Sequence, residues 1–499
     1  MFNNRLTNDF LVRTRPQLQL LSPDQIYQIH LSSLEVLERT GVEVLLPEAV
    51  DLLKQAGAYV TDNQRVRIPS HLVEEALRLA PCRITISDRN GKPAMFLEGH
   101  NTYYGTGPTI QYVLDVNSGE RRDSTKDDIE KAAMICDYLD NIDYVMTMGM
   151  SGGVAPSSKG INPEITDRYD FEAMLSNTTK PLIFSTWSVE GLSDCYEMGL
   201  AVSGSPENFR RKPFIIHYAE PTTPLLHGRE ALEQLLFCAE KRIPMVYSSG
   251  PVMGGTAPVT LAGSLVLSNA EWLGGLVIAQ LKRKGTPMIY GLGVSPLDMR
   301  TSVTLYGGPD NSLSHIAAKE MASFYRLPDF NTGGCSDSKV FDQQAAIESF
   351  FSLFQAALAG SNLVHDVGYI ESGYTACWES IIMADELIDS IKHFLRGIEI
   401  NRDTLALDLI DKVGPGGSFI REEHTANHFK DIWYPKLFNR NNFEKWVQGG
   451  SKPLGKVLNE KVKWILENHK PEPLSKDVKQ KINKILRRAE KKYNQVDMG

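Results

Sequence analysis

From about residue 130 onward, short β-rich runs alternate with longer helical stretches, and no G-x-G-x-x-G follows any of the runs. Strand runs of four or five residues separated by helices imply a parallel sheet, and this many of them favour closure. The fold class is therefore α/β: a TIM-type (β/α)8 barrel with an N-terminal α+β extension and a helical C-terminal tail. An open doubly wound sheet is the competing architecture, but Gly291-Leu292-Gly293 lacks the third glycine of a dinucleotide turn.

Residues 1–125 make an N-terminal helical and β-hairpin region. Ser22 opens a helical pattern (Ile26, Ile29, Leu34, Leu37) that stops at Gly41, a residue suited to the left-handed turn after a helix. Stretches 47–57 and 69–79 repeat the pattern as shorter helices. Tyr103, Tyr104, Ile110, Tyr112 and Val113 give 101–116 strand character, with a turn at Asn117-Ser118-Gly119. Ser124-Thr125-Lys126-Asp127-Asp128 then starts a helix with acid in its first turn. The barrel, 126–400, carries the active site. Its strands are 144–148, 182–185, 214–217, 245–248, 288–290, 330–332 and 363–365, seven in all; the eighth is not evident. Helices fill 190–202, 229–241, 262–284 and 313–325. Residues 401–499 form a C-terminal helical region ending in Lys- and Glu-rich helices, which read as solvated and charge-laced.

At 499 residues the chain can bury a large core. A formal net charge of −8 gives no basic field to hold nucleic acid. With 42% hydrophobic and 23% charged residues, the composition is that of an ordinary globular protein. The first ten residues lack a signal peptide's apolar run. Stretch 257–281 is apolar but interrupted by Asn269 and Glu271, so it reads as a buried helix and not a membrane span. Six cysteines without a C-x-x-C pair imply reduced thiols and a cytoplasmic location.

The active site of such a barrel lies at the C-terminal ends of its strands, and those ends are rich in aromatic residues. Aromatic faces attract a quaternary ammonium without any hydrogen bond, by about 0.5–2 kcal/mol each. Trp187, Tyr247, Tyr290 and Tyr369 are the candidates for such a cage, with Glu220 as charge partner. His217 and His365, and after them Arg300, are candidates to contact a substrate carboxylate. Core packing is the competing role for each aromatic taken singly. No H-E-x-x-H, C-x-x-C or H-x-H is present, and no metal site is expected. His424 and His428 are four apart and share a helix face, where capping or packing near Asn427 and Trp433 outweighs metal binding. Gly149-Met150-Ser151-Gly152-Gly153 has the G-x-S-x-G spacing, but Val154-Ala155-Pro156 does not continue as the helix an esterase elbow requires. Stretch 450–456 has phosphate-loop spacing, yet Val457 stands where Ser or Thr is needed.

Three segments add a resemblance. Gly333-Gly334-Cys335-Ser336-Asp337-Ser338-Lys339 opens a polar turn before an apolar helix. Gly254-Gly255-Thr256-Ala257-Pro258 precedes it, and Gly416-Gly417-Ser418-Phe419 with His424-Thr425 and His428 follows. In this order, and from about Pro23 to Trp446, the chain resembles the trimethylamine methyltransferase superfamily, whose members pass a methyl group from an amine to a cobalt corrinoid protein. The resemblance implies a transient corrinoid protein partner. No D-x-H-x-x-G element is present to hold cobalt here, so the corrinoid (cobalamin) would be supplied by that partner, with none bound in this chain. Glycine-rich turns suit close backbone approach by a flat macrocycle, so Gly255, Gly333, Gly334 and Asp337 are candidates to face it. The trimethylamine enzymes carry pyrrolysine, for which the resemblance gives a place near 335–339, whereas this chain has only standard residues. The non-pyrrolysine branch includes glycine betaine demethylases. The implied substrate is thus a quaternary amine, foremost glycine betaine giving dimethylglycine, with proline betaine, carnitine and γ-butyrobetaine as alternatives. A lyase or isomerase using His217, His365 or Lys339 as base, and a betaine-binding protein without turnover, are the rival functions. The apolar surplus of the helix at 262–281 suggests a homo-oligomer.

Overall fold

The computed structural model describes residues 16–62, 64–152 and 161–496. Its central sheet comprises Tyr103–Tyr104 (β1), Leu182–Phe184 (β2), Ile215–Ala219 (β3), Met245–Ser249 (β4), Met288–Leu292 (β5), Asp329–Thr332 (β6) and Leu363–His365 (β7). All neighbours are parallel, in the order β1-β7-β6-β5-β4-β3-β2. Isolated parallel bridges, Gly105 with Tyr144 and Val145 with Leu182, join the two edges through one extended segment.

Six of the strands coincide with runs read from the sequence. The run at 144–148 supplies only those bridges, and β1 comes from the segment assigned to the N-terminal region. Two residues are too few to show a period, and β1 is held from outside: Tyr103 donates to the Asn362 carbonyl (2.8 Å) and Gly105 to that of Val364 (2.9 Å).

Side chains alternate across each strand. Ile183, Ile216, Val246, Ile289, Phe330 and Leu363 pack into one inner cluster with Tyr144 and Met146. Phe184, Ile215, Met245, Tyr247, Met288 and Tyr290 belong to the larger core shared with the helices. A hairpin, Ile84–Ser87 with Pro93–Leu97, sends Ile84, Ile86, Met95 and Leu97 into the inner cluster. Ser87 donates to the Pro213 carbonyl and Arg89 to that of Thr179, both just before strands. The hairpin therefore plugs the N-terminal end of the sheet and leaves the other end open.

The first helix, Pro23–Glu35 (α1), begins with a reciprocal cap in which Ser22 and Gln25 bond each other's backbone. It ends through a π turn at Gly41, whose φ of 74° is left-handed; an added Cβ there would overlap the Val66 carbonyl. With Ser70–Leu79 (α2) and Arg229–Lys241 (α3), α1 packs on the apolar helix Leu261–Lys282 (α4). That helix is long and apolar enough to cross a membrane by composition, yet most of it is buried in the core. The polar interruptions are satisfied there. Asn269 bonds Ser33, Tyr290 and Tyr325 at 2.8–2.9 Å, and Glu271 accepts from the Leu225 N–H (2.6 Å) and Thr223 (3.1 Å). The apolar surplus that suggested self-association is thus covered inside the chain.

The terminal helix, Lys476–Val496, is not solvated on all sides as its composition suggested. Ile482, Ile485, Leu486 and Ala489 are buried, at the spacing of one helix face. They lie against the helix Val189–Ser203, where Arg488 also pairs with Asp194 and Glu197.

Candidate active site

The open end of the sheet holds a cavity of about 350 Å³, within the usual range for small-molecule sites. Inward parity decides which strand-end side chains reach it. Two residues beyond the inner cluster on β3 to β7 come Tyr218, Ser248, Gly291, Thr332 and His365, and Tyr218, Ser248, Thr332 and His365 line the cavity. Glu220 follows Tyr218 by two and shares its face. Loops complete the wall with Tyr306, Asp366, Tyr369, Ser372 and Tyr374. Five aromatic rings (Tyr218, Tyr306, Phe330, Tyr369, Tyr374) and two carboxylates thus surround one space, and no Lys or Arg is among its described lining residues.

The rings are positioned by specific contacts. Tyr218 and Phe330 lie 5.6 Å apart between centroids, and Phe330 stacks on His365 at 3.8 Å. The Tyr218 hydroxyl donates to Glu220 and that of Tyr369 to the Pro108 carbonyl. Gly107 is required beside them, because an added Cβ would overlap both the Tyr369 ring and the Asp366 carboxylate. Asp366 follows β7 with a φ of 74°, a left-handed conformation uncommon for a non-glycine residue and often found at functional sites.

Burial sets the charges. It pushes the Asp366 carboxyl up to about 7, partly offset by the Thr332 hydroxyl at 3.3 Å. The Glu220 carboxyl, enclosed by protein although it meets solvent through the cavity, is likewise raised by desolvation, against the Tyr218 hydrogen bond. The His365 imidazole is lowered to about 4 and is neutral at pH 7. Its Nδ1 carries the proton, since it lies 2.6 Å from the Asn331 carbonyl, an acceptor only. Nε2 is left as a bare lone pair, 3.5 Å from Asp366.

Of the residues singled out in the sequence, Glu220, His365 and Tyr369 line this cavity, and the others lie elsewhere. His217, Tyr247 and Tyr290 have the outward parity and bond Gln234 (2.8 Å), His227 (2.9 Å) and Asn269 (2.8 Å) among the helices. Trp187 is half exposed, its indole N–H donating to Thr166 (2.9 Å). Arg300 is exposed and pairs with Asp298, and Lys339 donates to the Asp337 carbonyl. Ser151 donates to the Thr166 carbonyl (3.3 Å); Gly153 and 154–156, which follow it, lie outside the described residues. Tyr218, Tyr306, Phe330, Asp366 and Tyr374 were missed. Strand parity was a signal for the first and third, since Tyr218 and Phe330 keep step with Ile216 and Val246.

The glycine-rich turn at 333–337 stands behind the wall and does not face the cavity. Gly333 donates to the His365 carbonyl (2.9 Å) and Gly334 to Ser352 (3.0 Å). Asp337 accepts from the Tyr306 N–H (2.8 Å), the Gly307 N–H (3.0 Å) and the Ser372 hydroxyl (2.9 Å), so one carboxylate holds two wall segments. Gly255 sits in an exposed turn, donating to the carbonyl of the rim residue Val252 (3.0 Å). Asp337→Ala leaves three donors without their acceptor, at about 1–3 kcal/mol for each buried one. A lower urea midpoint together with weaker ligand binding is expected, and an unchanged midpoint would show that Asp337 does not clamp the wall.

A glycine betaine methyltransferase of Desulfitobacterium hafniense (strain Y51) is 30% identical over 477 residues, covering 94% of this chain and 97% of that protein. A trimethylamine methyltransferase MttB of D. hafniense (strain DSM 10664 / DCB-2) is 33% identical over 476 residues, 95% of this chain and 94% of the other. The crystal structure of the Methanosarcina barkeri monomethylamine methyltransferase overlays with a TM-score of 0.49 at 12% identity, covering 97% of this chain and 89% of that one. The profile of the family described as trimethylamine methyltransferase (MTTB) matches residues 3–493. The chain belongs to the trimethylamine methyltransferase family.

Proposed function

We propose that this chain transfers a methyl group from a quaternary amine, glycine betaine foremost, to the cobalt(I) of a corrinoid carried by a separate protein. The observation that carries the reading is the cavity itself: five aromatic rings and two carboxylates around about 350 Å³, with no cationic side chain among the described lining residues. Such a lining stabilises a permanent cation. In this reading the bridges at 144–145 close the sheet as the eighth member of a barrel, and the cavity is its mouth. Residues 126–400 then carry most of the site, 1–125 adding β1, the plug and the wall segment 108–110, and 401–499 forming a helical region outside it.

A quaternary donor suits a chain without pyrrolysine. When the C–N bond breaks, its electron pair stays on nitrogen and a neutral tertiary amine departs, so no proton need be delivered. The corrinoid, when bound, supplies the nucleophilic electron pair that receives the methyl group. The residues here do the rest: the rings hold the ammonium, Glu220 and Asp366 balance its charge, and the enclosed wall orients one methyl outward while excluding water. A flat macrocycle would approach the rim. Gly250, Gly293 and Gly373 line it, and an added Cβ at Gly373 would stand 3.6 Å from both Tyr306 and Tyr369. A corrinoid protein that must carry its methyl group onward would make a transient contact there.

The same lining favours a second substrate within the class. A betaine carboxylate finds only hydroxyls and backbone N–H groups as donors, because the His365 Nε2 is a bare lone pair and ionised Glu220 and Asp366 oppose its charge, whereas a quaternary amine bearing a hydroxyl needs no cation. Loss of the Co(I) absorbance of a reduced corrinoid protein separates the cases. Glycine betaine is expected to discharge it, with choline as the second arm. If trimethylamine alone does so, the quaternary-amine reading is wrong.

A further inference from the structure

The stretch from Lys392 to Tyr434 contains no buried residue, although it forms three short helices, Arg402–Leu405, Leu407–Val413 and Glu423–His428. Ile398, Leu407, Ile420 and Ile432 are each more than two-thirds exposed. A segment that buries so little cannot be held by the hydrophobic effect and needs another tie. Its best-organised point is polar. His424 and His428 stand on one face of the third helix, and Asp403 of the first helix meets them. The His428 Nε2 lies 3.1 Å from the Asp403 carboxylate, and the His424 Nε2 lies 3.2 Å from the Asp403 carbonyl.

We infer that Asp403, His424 and His428 form a binding site for a divalent transition-metal ion of the zinc class, which ties the two ends of this coreless segment together. The donor atoms all lie within 4.8 Å of one another. Two ligands at zinc distances on a tetrahedron stand about 3.3 Å apart, so the Asp403–His428 pair already has the required spacing. A rotation of the partly exposed His424 ring closes the third edge. The fourth position is open to water or to the Asp403 carbonyl.

A second shell is present as well. Asp431 accepts from the His428 Nδ1 at 2.7 Å, the arrangement that fixes the tautomer of a metal-bound imidazole and turns Nε2 toward the ion. In the ion's absence the same contacts describe an imidazolium between two carboxylates, and Asp431 first, then Asp403, raises the His428 pKa. Exposed ion pairs of that kind contribute little to stability, whereas metal ligation contributes folding free energy directly. The choice between the two is therefore a measurement of binding. None of these residues lines the cavity, so the inference stands apart from the proposed methyl transfer.

The full chain, prepared without a histidine tag and stripped with EDTA, is titrated with Zn²⁺ against a chromophoric chelator, and with Co²⁺ by visible absorption. One ion per chain is expected, with tetrahedral Co²⁺ bands and no thiolate charge-transfer band. Asp431→Asn should weaken binding by about 10–100-fold, and the His424→Ala/His428→Ala pair should abolish it. Zinc should also slow proteolytic cleavage within 397–434 by at least about tenfold, through the population of open segment. Equal binding by wild type and the double variant, retention of no ion by the wild type, or cleavage insensitive to zinc would each overturn the proposal. The segment's exposure keeps the variants folded, and circular dichroism and cavity-ligand binding verify it.

Discussion

Alanine at Tyr218 weakens binding of a quaternary ammonium compound by up to about 150-fold, the largest effect expected of any single ring in the cavity. Two losses add. The face of a desolvated tyrosine contributes up to about 2 kcal/mol to a cation. The Tyr218 hydroxyl also donates to Glu220 and favours its ionised form, and losing that bond weakens the carboxylate's pairing with the cation by about 1 kcal/mol more. Tyr218→Phe keeps the ring and loses only the second part, so its effect is about fivefold. Trp187→Ala serves as the control, because that indole is half exposed and bonded to Thr166 outside the cavity; its effect should stay within about twofold, as for a surface substitution. Isothermal titration with choline or tetramethylammonium reads all three. Equal losses at Tyr218 and Trp187 would show that the cavity is not where the cation binds.

Much of the architecture was legible because it rests on periodic signals. Helices at 229–241 and 262–284 show themselves by length and apolar content, and α3 matches its expected bounds at both ends. What failed was short or set by distant partners. β1 is two residues long and exists because Asn362 and Val364 offer carbonyls to it, which no local pattern announces. The terminal helix hides an apolar face of four residues within a run of Lys and Glu.

The candidate site was legible in kind and not in detail. Strand ends rich in aromatic residues were visible, but nearness to a strand end does not say which face a side chain takes. His217, Tyr247 and Tyr290 were chosen one residue out of step with Tyr218, Ser248 and Gly291, and a one-residue slip reverses the face. Each chosen residue has a helix-side partner, so its polarity served the packing between sheet and helices. Tyr306 and Tyr374 come from loops whose course depends on Asp337 and the turn at 371–373. The glycine-rich turn drew notice as a site, yet its polar side chains are spent on holding those loops.

Asp366 should give the cavity a pH dependence whose sign is fixed by its burial. Desolvation raises its carboxyl from 3.8 to about 7 in the folded chain. Free protein therefore holds it about one-tenth ionised at pH 6 and about nine-tenths ionised at pH 8. A bound cation about 5 Å away favours the ionised form by roughly 3 kcal/mol at an effective dielectric of 20, enough to keep it ionised in the complex throughout that range. The affinity for tetramethylammonium should then rise about tenfold from pH 6 to pH 8, and Asp366→Asn should flatten the profile near its acid limit. Stability runs the other way. Because the folded pKa lies above the unfolded one, the penalty for ionising Asp366 is absent below about pH 4, grows between 4 and 7, and is complete above 7, where it reaches at most about 4 kcal/mol. Asp366→Asn should thus unfold at higher urea than wild type at pH 8 while binding the cation more weakly. A residue retained only for packing would lose both together, and a flat wild-type binding profile between pH 6 and 8 would place the ammonium away from Asp366.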